Sequence, residues 1–167
     1  MSKRLLVLRH AKSEHGDRTL SDHDRPLNER GRDAAGRMGA FMQARGLVPD
    51  LVLCSSAVRT TETLSLLAQS SGLHAKTEFE EQLYLASASA MLEVLATRAQ
   101  QEEVVMLVGH NPGSEDVLHT LGLGMHEMPT CSLAHIELDI DDWVLATGSV
   151  SARLVDLWLV KSLPDEG

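Results

Sequence analysis

The sequence is poor in cysteine and aromatic residues, and it has no long apolar run. Cys54 and Cys131 are too few for a disulfide framework, and no Cys-x-x-Cys pair occurs, which favours a reduced, cytoplasmic protein. A membrane-spanning helix needs a run of about 18 apolar residues, so none is expected. The amino-terminal segment also lacks the longer apolar stretch and small-residue cleavage site of a secretory signal.

Positive charge is also scarce, since 15 Lys and Arg face 24 Asp and Glu for a net charge of −9. This excess of negative charge repels the phosphates of nucleic acids and anionic membranes, so neither is expected as a partner. The eight histidines show no metal-ligand spacing such as His-Glu-x-x-His, and we expect no metal or other cofactor. Any site for an anion must therefore be local.

Apolar residues make up 43% of the 167 residues, and aromatics only 3%. This composition predicts a single domain over residues 1–167, with a core filled mainly by Leu, Val, Ala and Met. We expect residues 162–167 to form a frayed tail.

Short apolar segments typical of strands alternate with longer segments of helical periodicity. Asn28 is a suitable N-cap for the first helix, and Gly46 is a natural stop. Strands followed by helices predict an α/β fold, a mostly parallel sheet with helices on both faces, to which the last two strands can add an antiparallel edge. The expected strands are 5–8, 51–54, 75–79, 104–108, 132–139 and 151–160, and the expected helices are 26–46, 57–72, 87–100 and one that follows "GHNPG".

Basic side chains follow three of the expected strands. Arg9 and His10 end the first, Arg59 lies in the first turn of the helix after the second, and His110 follows the strand at 104–108. Ligands of open α/β sheets bind beyond the carboxyl ends of the strands. We therefore expect these four residues to meet at one rim, near helix amino termini that favour anions.

Two arginines and two histidines suit a phosphoryl group. Guanidinium forks match phosphoryl oxygens, a neutral imidazole can attack phosphorus, and a second imidazole can hydrogen-bond the oxygens. Phosphoryl transfer needs mainly positioning and charge stabilisation, which this set supplies without a metal. Each residue alone has an ordinary alternative: Arg59 as a solvated helix residue, and His110 as a loop histidine bonded to backbone.

Four segments together resemble the histidine phosphatase superfamily, the phosphoglycerate mutase-like group. "LRHAKSE" is similar to its Arg-His-Gly signature, with Ala11 in the glycine place, "SSAVRTTET" is similar to its segment with Ser55, Arg59 and Thr63, and "VGHNP" is similar to its second histidine segment. "DHDRPLNERGRDAA" adds a likeness to the short SixA-type phosphohistidine phosphatases, through Arg25, Pro26, Leu27 and Gly31.

The resemblance implies that His10 is the nucleophile and is transiently phosphorylated. It also implies that Arg9, Arg59 and His110 complete the phosphate pocket. Ser13 either contacts the phosphate or caps a helix. Arg25 either ties the rim together or adds an anion contact.

Many members of the superfamily carry a glutamate general acid after the third strand. The sequence there is "FEEQLYLAS", in which Glu81 is the candidate, although an equally good alignment places Gln82 at that position. Glu80 and Glu81 could also be solvated surface charges. Without an acid, a phosphoramidate with an imidazole leaving group fits better than an alkyl phosphate ester.

These observations predict a metal-independent phosphatase that acts through phospho-His10 on phosphohistidine of a protein partner. The length leaves little chain for a lid, and an open site can admit a protein surface. The alternatives are a phosphatase of small phosphate esters and a catalytically idle, phosphate-binding regulatory module. The presence of Arg9, His10, Arg59 and His110 argues against the idle module.

Overall fold

A six-stranded sheet runs through the computed structural model, which describes residues 2–164. The strands are β1 (Lys3–Arg9), β2 (Leu51–Ser55), β3 (Lys76–Glu80), β4 (Val104–Gly109), β5 (Leu133–Leu138) and β6 (Ala152–Trp158). Their order in the sheet is β3-β2-β4-β1-β5-β6. The pairs β1–β4, β2–β4 and β2–β3 are parallel, and the pairs β1–β5 and β5–β6 are antiparallel. The expected mostly parallel sheet with an antiparallel edge is confirmed.

Within residues 2–164, four α-helices cover both faces of the sheet, as expected for strands that carry apolar side chains on both sides. The helices are α1 (Glu29–Arg45), α2 (Val58–Ser71), α3 (Ala88–Arg98) and α4 (Gly113–Thr120). Leu5 and Val7 of β1 face one apolar cluster, which includes residues of α3 and α4. Leu6 and Leu8 face the other cluster, which includes residues of α1 and α2. None of these helices combines the length and the apolar character needed to cross a membrane.

The expected end signals of α1 are both present. The Asn28 side chain accepts a hydrogen bond from the Gly31 amide at 2.8 Å, which satisfies one free amide of the first turn. Gly46 follows the helix in the left-handed conformation with φ 64°, where a side chain would be strained.

The expectation of a frayed tail is wrong for Leu163. This side chain is buried and joins the apolar cluster beneath α1, because a 3-10 turn at Val160–Ser162 returns the chain to the core. Residues 165–167 of the expected tail lie outside the described residues.

The start of α1 is packed against the loop that follows β1. The Asn28 amide donates to the Lys12 carbonyl at 3.0 Å, and Ser13 forms an isolated antiparallel bridge with Leu27. A Cβ atom at Gly31 would lie 2.0 Å from the Lys12 carbonyl oxygen, so only glycine allows this approach. The helix therefore fixes the loop that leaves His10.

Gly31→Ala should destabilise the protein, because the added methyl group overlaps backbone rather than a movable side chain. We expect a loss of about 1–3 kcal/mol in the free energy of unfolding, measured by urea denaturation. Gly36→Ala is the matched control in the same helix, since nothing lies within 4 Å of its Cβ position. That change should stabilise by about 0.5–1 kcal/mol. Equal effects at the two glycines would contradict this packing.

Candidate active site

Arg9, His10, Arg59 and His110 line one pocket of about 400 Å³ at the carboxyl edge of the sheet. Arg9 is the last residue of β1, Arg59 lies in the first turn of α2, and His110 follows β4 directly. The two imidazole rings are neighbours, with centroids 5.2 Å apart. Two basic side chains and two imidazoles thus face the same small volume.

The orientation of His10 is set by its own loop. Its Nδ1 lies 2.6 Å from the Ala11 carbonyl oxygen, and a carbonyl only accepts, so Nδ1 carries the hydrogen. The Nε2 atom then holds the lone pair. Thr63 fixes the loop further, because its hydroxyl accepts from the Ala11 amide at 3.0 Å and donates to the Arg59 carbonyl at 2.6 Å.

His110 is held by Ser55, the last residue of β2. The Ser55 hydroxyl lies 2.8 Å from His110 Nε2 and also accepts from the Ala57 amide at 3.3 Å. The Ser55 hydroxyl can donate to Nε2 or accept from it, so the bond fixes the position of the ring in either tautomer. The Nδ1 atom of His110 is buried and has no hydrogen-bond partner within residues 2–164.

The two arginines are each fixed through part of the guanidinium group. Arg9 Nη1 donates to the Met128 carbonyl at 3.0 Å, and Arg59 donates to the Asp22 carbonyl at 2.7 Å and the Asp22 carboxylate at 3.0 Å. The Nε atoms of both arginines are buried and unpartnered in the described part of the chain. Both arginines also line the pocket, so an anion bound there lies beside two guanidinium groups.

Asp22 also lines the pocket, although the sequence did not predict it. Its carboxylate accepts from Arg59, Arg25 and the Tyr84 hydroxyl. The Tyr84 hydroxyl and the two arginines hold the pKa of Asp22 well below its usual range, against the opposing effect of burial. The group therefore stays ionised and is unsuited to donate a proton. Its position at the start of the segment Asp-x-x-Arg-Pro-Leu was a signal that could have been used.

Ser13 and Arg25 form a tie across the rim of the pocket. The buried Ser13 hydroxyl accepts from Arg25 Nη1 at 2.6 Å, and the same nitrogen donates to the Glu14 carbonyl at 2.8 Å. Both residues also line the pocket. Ser13 does not cap the following helix, because that role belongs to Asn28.

Glu81 is not brought into the pocket. It is exposed in a 3-10 turn at Glu81–Leu83, and it is absent from the described residues that line the site. Glu80 is paired with Arg98 at 3.0 Å. The residue of this segment that lines the pocket is Leu85. The ring of its neighbour Tyr84 meets His110 edge-on, with centroids 5.5 Å apart.

Both histidines of the pocket are neutral near pH 7. Burial lowers the pKa of His10 to about 4, assisted by the charges of Arg59 and Arg9 and opposed by the hydrogen bond to Ala11. Burial lowers the pKa of His110 to about 3, with further lowering by His10 and Arg59. A neutral imidazole keeps the lone pair that a nucleophile requires.

The two cysteines do not offer reactive thiolates. Cys54 and Cys131 are buried and free, and burial raises the pKa of each thiol to about 12. Within residues 2–164, no group of three or more His, Cys, Asp or Glu side chains is placed to hold a metal ion. The side chains that line the pocket include two neighbouring imidazoles, His10 and His110, and three guanidinium groups.

A family model described as "Histidine phosphatase superfamily (branch 1)" matches residues 5–87. An uncharacterized chloroplastic protein of Arabidopsis thaliana is 32% identical over 152 residues, covering 86% of this chain and 70% of that protein. An uncharacterized protein of Mycobacterium tuberculosis is 36% identical over 105 residues, and the match covers 63% of each chain.

Solved structures share the fold over nearly the whole chain. A candidate phosphohistidine phosphatase SixA from Agrobacterium tumefaciens is 27% identical with a TM-score of 0.81, covering 94% of this chain and 97% of that chain. The protein histidine phosphatase SixA, solved with tungstate, is 19% identical with a TM-score of 0.78, over 96% and 99%. A mycobacterial glucosyl-3-phosphoglycerate phosphatase is 19% identical with a TM-score of 0.66, over 93% and 98%. The last two likenesses show the fold alone.

The lowered pKa of His10 should make the protein less stable in mild acid. Between the folded value of about 4 and the ordinary value of 6.5, the unfolded chain binds the extra proton, so stability falls as the pH drops through this range. His10→Gln should reduce the slope of the unfolding free energy against pH by up to about 1.4 kcal/mol per pH unit.

The measurement is urea denaturation of both proteins at several pH values across that range. His119→Gln, at an exposed histidine of α4, is the control and should keep the wild-type slope. A wild-type slope in His10→Gln would contradict a neutral, buried His10.

Proposed function

The chain belongs to the histidine phosphatase superfamily, and we propose that it is a phosphatase that passes the phosphoryl group through His10 to water. We further propose that its substrate is phosphohistidine on a protein. The observation that carries the proposal is the convergence of Arg9, His10, Arg59 and His110 on one pocket at the carboxyl edge of the sheet. Guanidinium and imidazole groups placed together in this way suit the oxygens of a phosphoryl group.

In the first step, the lone pair on His10 Nε2 attacks phosphorus and the bond to the leaving group breaks. The leaving imidazole takes the electron pair of that bond, and it departs neutral because its other nitrogen already carries a hydrogen or because it takes a proton from water. Positive charge develops on the imidazole, and the Nδ1 hydrogen bond to the Ala11 carbonyl at 2.6 Å stabilises it. The same bond holds the ring in place, so little reorganisation accompanies the attack.

The charge on the phosphoryl oxygens is met by the two arginines and His110. Arg59 keeps two of its donors on Asp22, which fixes the guanidinium group beside the pocket. Donors fixed before the reaction stabilise developing charge without a reorganisation cost. Asp22 thus acts on the substrate through Arg59, as a positioning residue.

In the second step, water attacks phosphorus and the bond to His10 Nε2 breaks. The electron pair of that bond returns to Nε2, which restores the neutral imidazole. Inorganic phosphate carries away the oxygen and the hydrogens of the water. No metal is needed for the balance of either step.

The choice of substrate rests on the shortage of a proton donor. Asp22 is held ionised, the Tyr84 hydroxyl donates to Asp22, and Glu81 lies outside the pocket. A positioned acid contributes about 10²–10⁴-fold where an alkoxide must leave. Imidazole leaves far more readily, so this pocket suits phosphohistidine. The likeness to the Agrobacterium structure supports the same substrate class.

Small phosphate esters are the competing substrate class. The shared fold of the glucosyl-3-phosphoglycerate phosphatase shows that this architecture accommodates such a substrate in another protein. The 19% identity between that phosphatase and this chain shows the fold alone. The side chains of the pocket favour imidazole, which is a better leaving group than an alkoxide.

The testing experiment compares kcat/KM on phosphohistidine and on a sugar phosphate, in wild type and in Glu81→Gln. We expect wild type to prefer phosphohistidine by about 10²-fold or more, the low end of what a missing acid costs an ester. Glu81→Gln should leave phosphohistidine turnover unchanged, and His10→Ala should abolish it. A wild type that prefers the sugar phosphate, and loses that activity in Glu81→Gln, would overturn the proposal in favour of small esters.

A further inference from the structure

A second groove adjoins the pocket, between the start of α1 and the segment that follows β6. Lys12 and Thr130 line both the pocket and this groove, so the two depressions lie next to each other. Ala34, Pro129 and Val160 give the groove apolar contact area. A chain that enters the pocket can therefore extend directly into the groove.

The groove carries positive charge on an otherwise acidic protein. Its lining includes four cations against the two anions Glu29 and Asp33, whereas acidic residues outnumber basic ones, 24 to 15, in the whole chain. All four cations are exposed. The cations are Lys12, Arg30, Arg37 and Lys161.

These four cations are also free of carboxylate partners within residues 2–164, in contrast to several others on the surface. Arg98 pairs with Glu80 at 3.0 Å, Arg153 pairs with Glu137 at 2.7 Å, and Lys76 pairs with Glu78 at 3.0 Å. The unpaired positive charge of the groove lies beside the pocket, where it attracts negative charge brought by another molecule.

The spacing of the cations fits a short peptide. Arg30 and Arg37 are seven residues apart on α1, which is two helical turns and about 10 Å along one face. About three residues of an extended chain span that distance. A segment with acidic side chains at this spacing can contact both arginines while its neighbouring phosphorylated residue occupies the pocket.

We propose that this groove docks an acidic segment of the substrate protein, adjacent to its phosphohistidine; the inference rests on the proposed function. A protein is favoured over nucleic acid or a membrane because the positive surface is short and local, and the chain as a whole repels polyanions. Such charge complementarity sets partner choice and the rate of encounter more than affinity.

The test uses two synthetic peptides that carry phosphohistidine. In the acidic peptide the phosphohistidine is flanked by Asp and Glu, and in the neutral peptide these residues are replaced by Asn and Gln. Phosphoramidate is the third probe, since it carries no flanking residues. Wild type should show a kcat/KM at least about 10-fold higher on the acidic peptide at low salt, the lower range of electrostatic steering. This advantage should shrink as salt is added.

The triple variant Arg30→Glu, Arg37→Glu and Lys161→Glu should lose the preference for the acidic peptide and keep turnover of phosphoramidate. The matched control is Lys76→Glu, Arg98→Glu and Arg153→Glu, which changes the net charge equally at distant surface pairs of small stabilising value. Circular dichroism checks that both variants are folded. The control should keep the preference.

Equal turnover of the two peptides by wild type would overturn the docking proposal alone, provided phosphoramidate is hydrolysed. Equal loss in the groove variant and the control would also overturn it, because net charge would then explain the preference. If wild type hydrolyses none of the three probes, the proposed function and the docking proposal are both overturned.

Discussion

The parallel pairing of β1 with β4 is the constraint on which the site depends. In this ladder Arg9 lies opposite Gly109, so the residues that follow, His10 and His110, leave the sheet side by side. The His10 amide donates to the Gly109 carbonyl at 3.0 Å and extends the pairing by one step. A slip of one residue would turn the side chains of β1 to the opposite face and separate the two imidazoles.

The site also shows how an acidic protein can hold an anion. The net charge of −9 repels phosphate at long range, yet Arg9, Arg25 and Arg59 meet within one small pocket. Asp22 offsets part of this charge and at the same time fixes Arg59 and Arg25. Burial keeps the imidazoles neutral, so the pocket combines fixed positive charge with an unprotonated nucleophile.

The sequence predicted the parts of the site that depend on local pattern. Apolar runs placed the strands, and basic residues at their carboxyl ends placed Arg9, His10 and His110, because strand ends of a parallel sheet meet at one edge. Asp22 and Tyr84 were missed since they contact Arg59 from loops, 37 and 25 residues away along the chain. These contacts with Arg59 form only in the folded protein.

The same limit explains the differences at Glu81 and Leu163. A carboxylate after the third strand suits a general acid by residue type, but the 3-10 turn at Glu81–Leu83 leaves Glu81 exposed and brings Tyr84 to His110 instead. Leu163 lies among polar residues near the end of the chain, and its burial follows from the packing of that segment against the cluster beneath α1. Neither outcome has a periodic signal in the sequence.

The role of His10 as carrier of the phosphoryl group can be measured by quenching wild type in alkali during phosphohistidine turnover and mapping the modified peptide by mass spectrometry. We expect an acid-labile phosphoryl group on His10 that is absent in His10→Ala and present in His119→Ala. A phosphoryl group on a different residue, or undiminished turnover in His10→Ala, would contradict it.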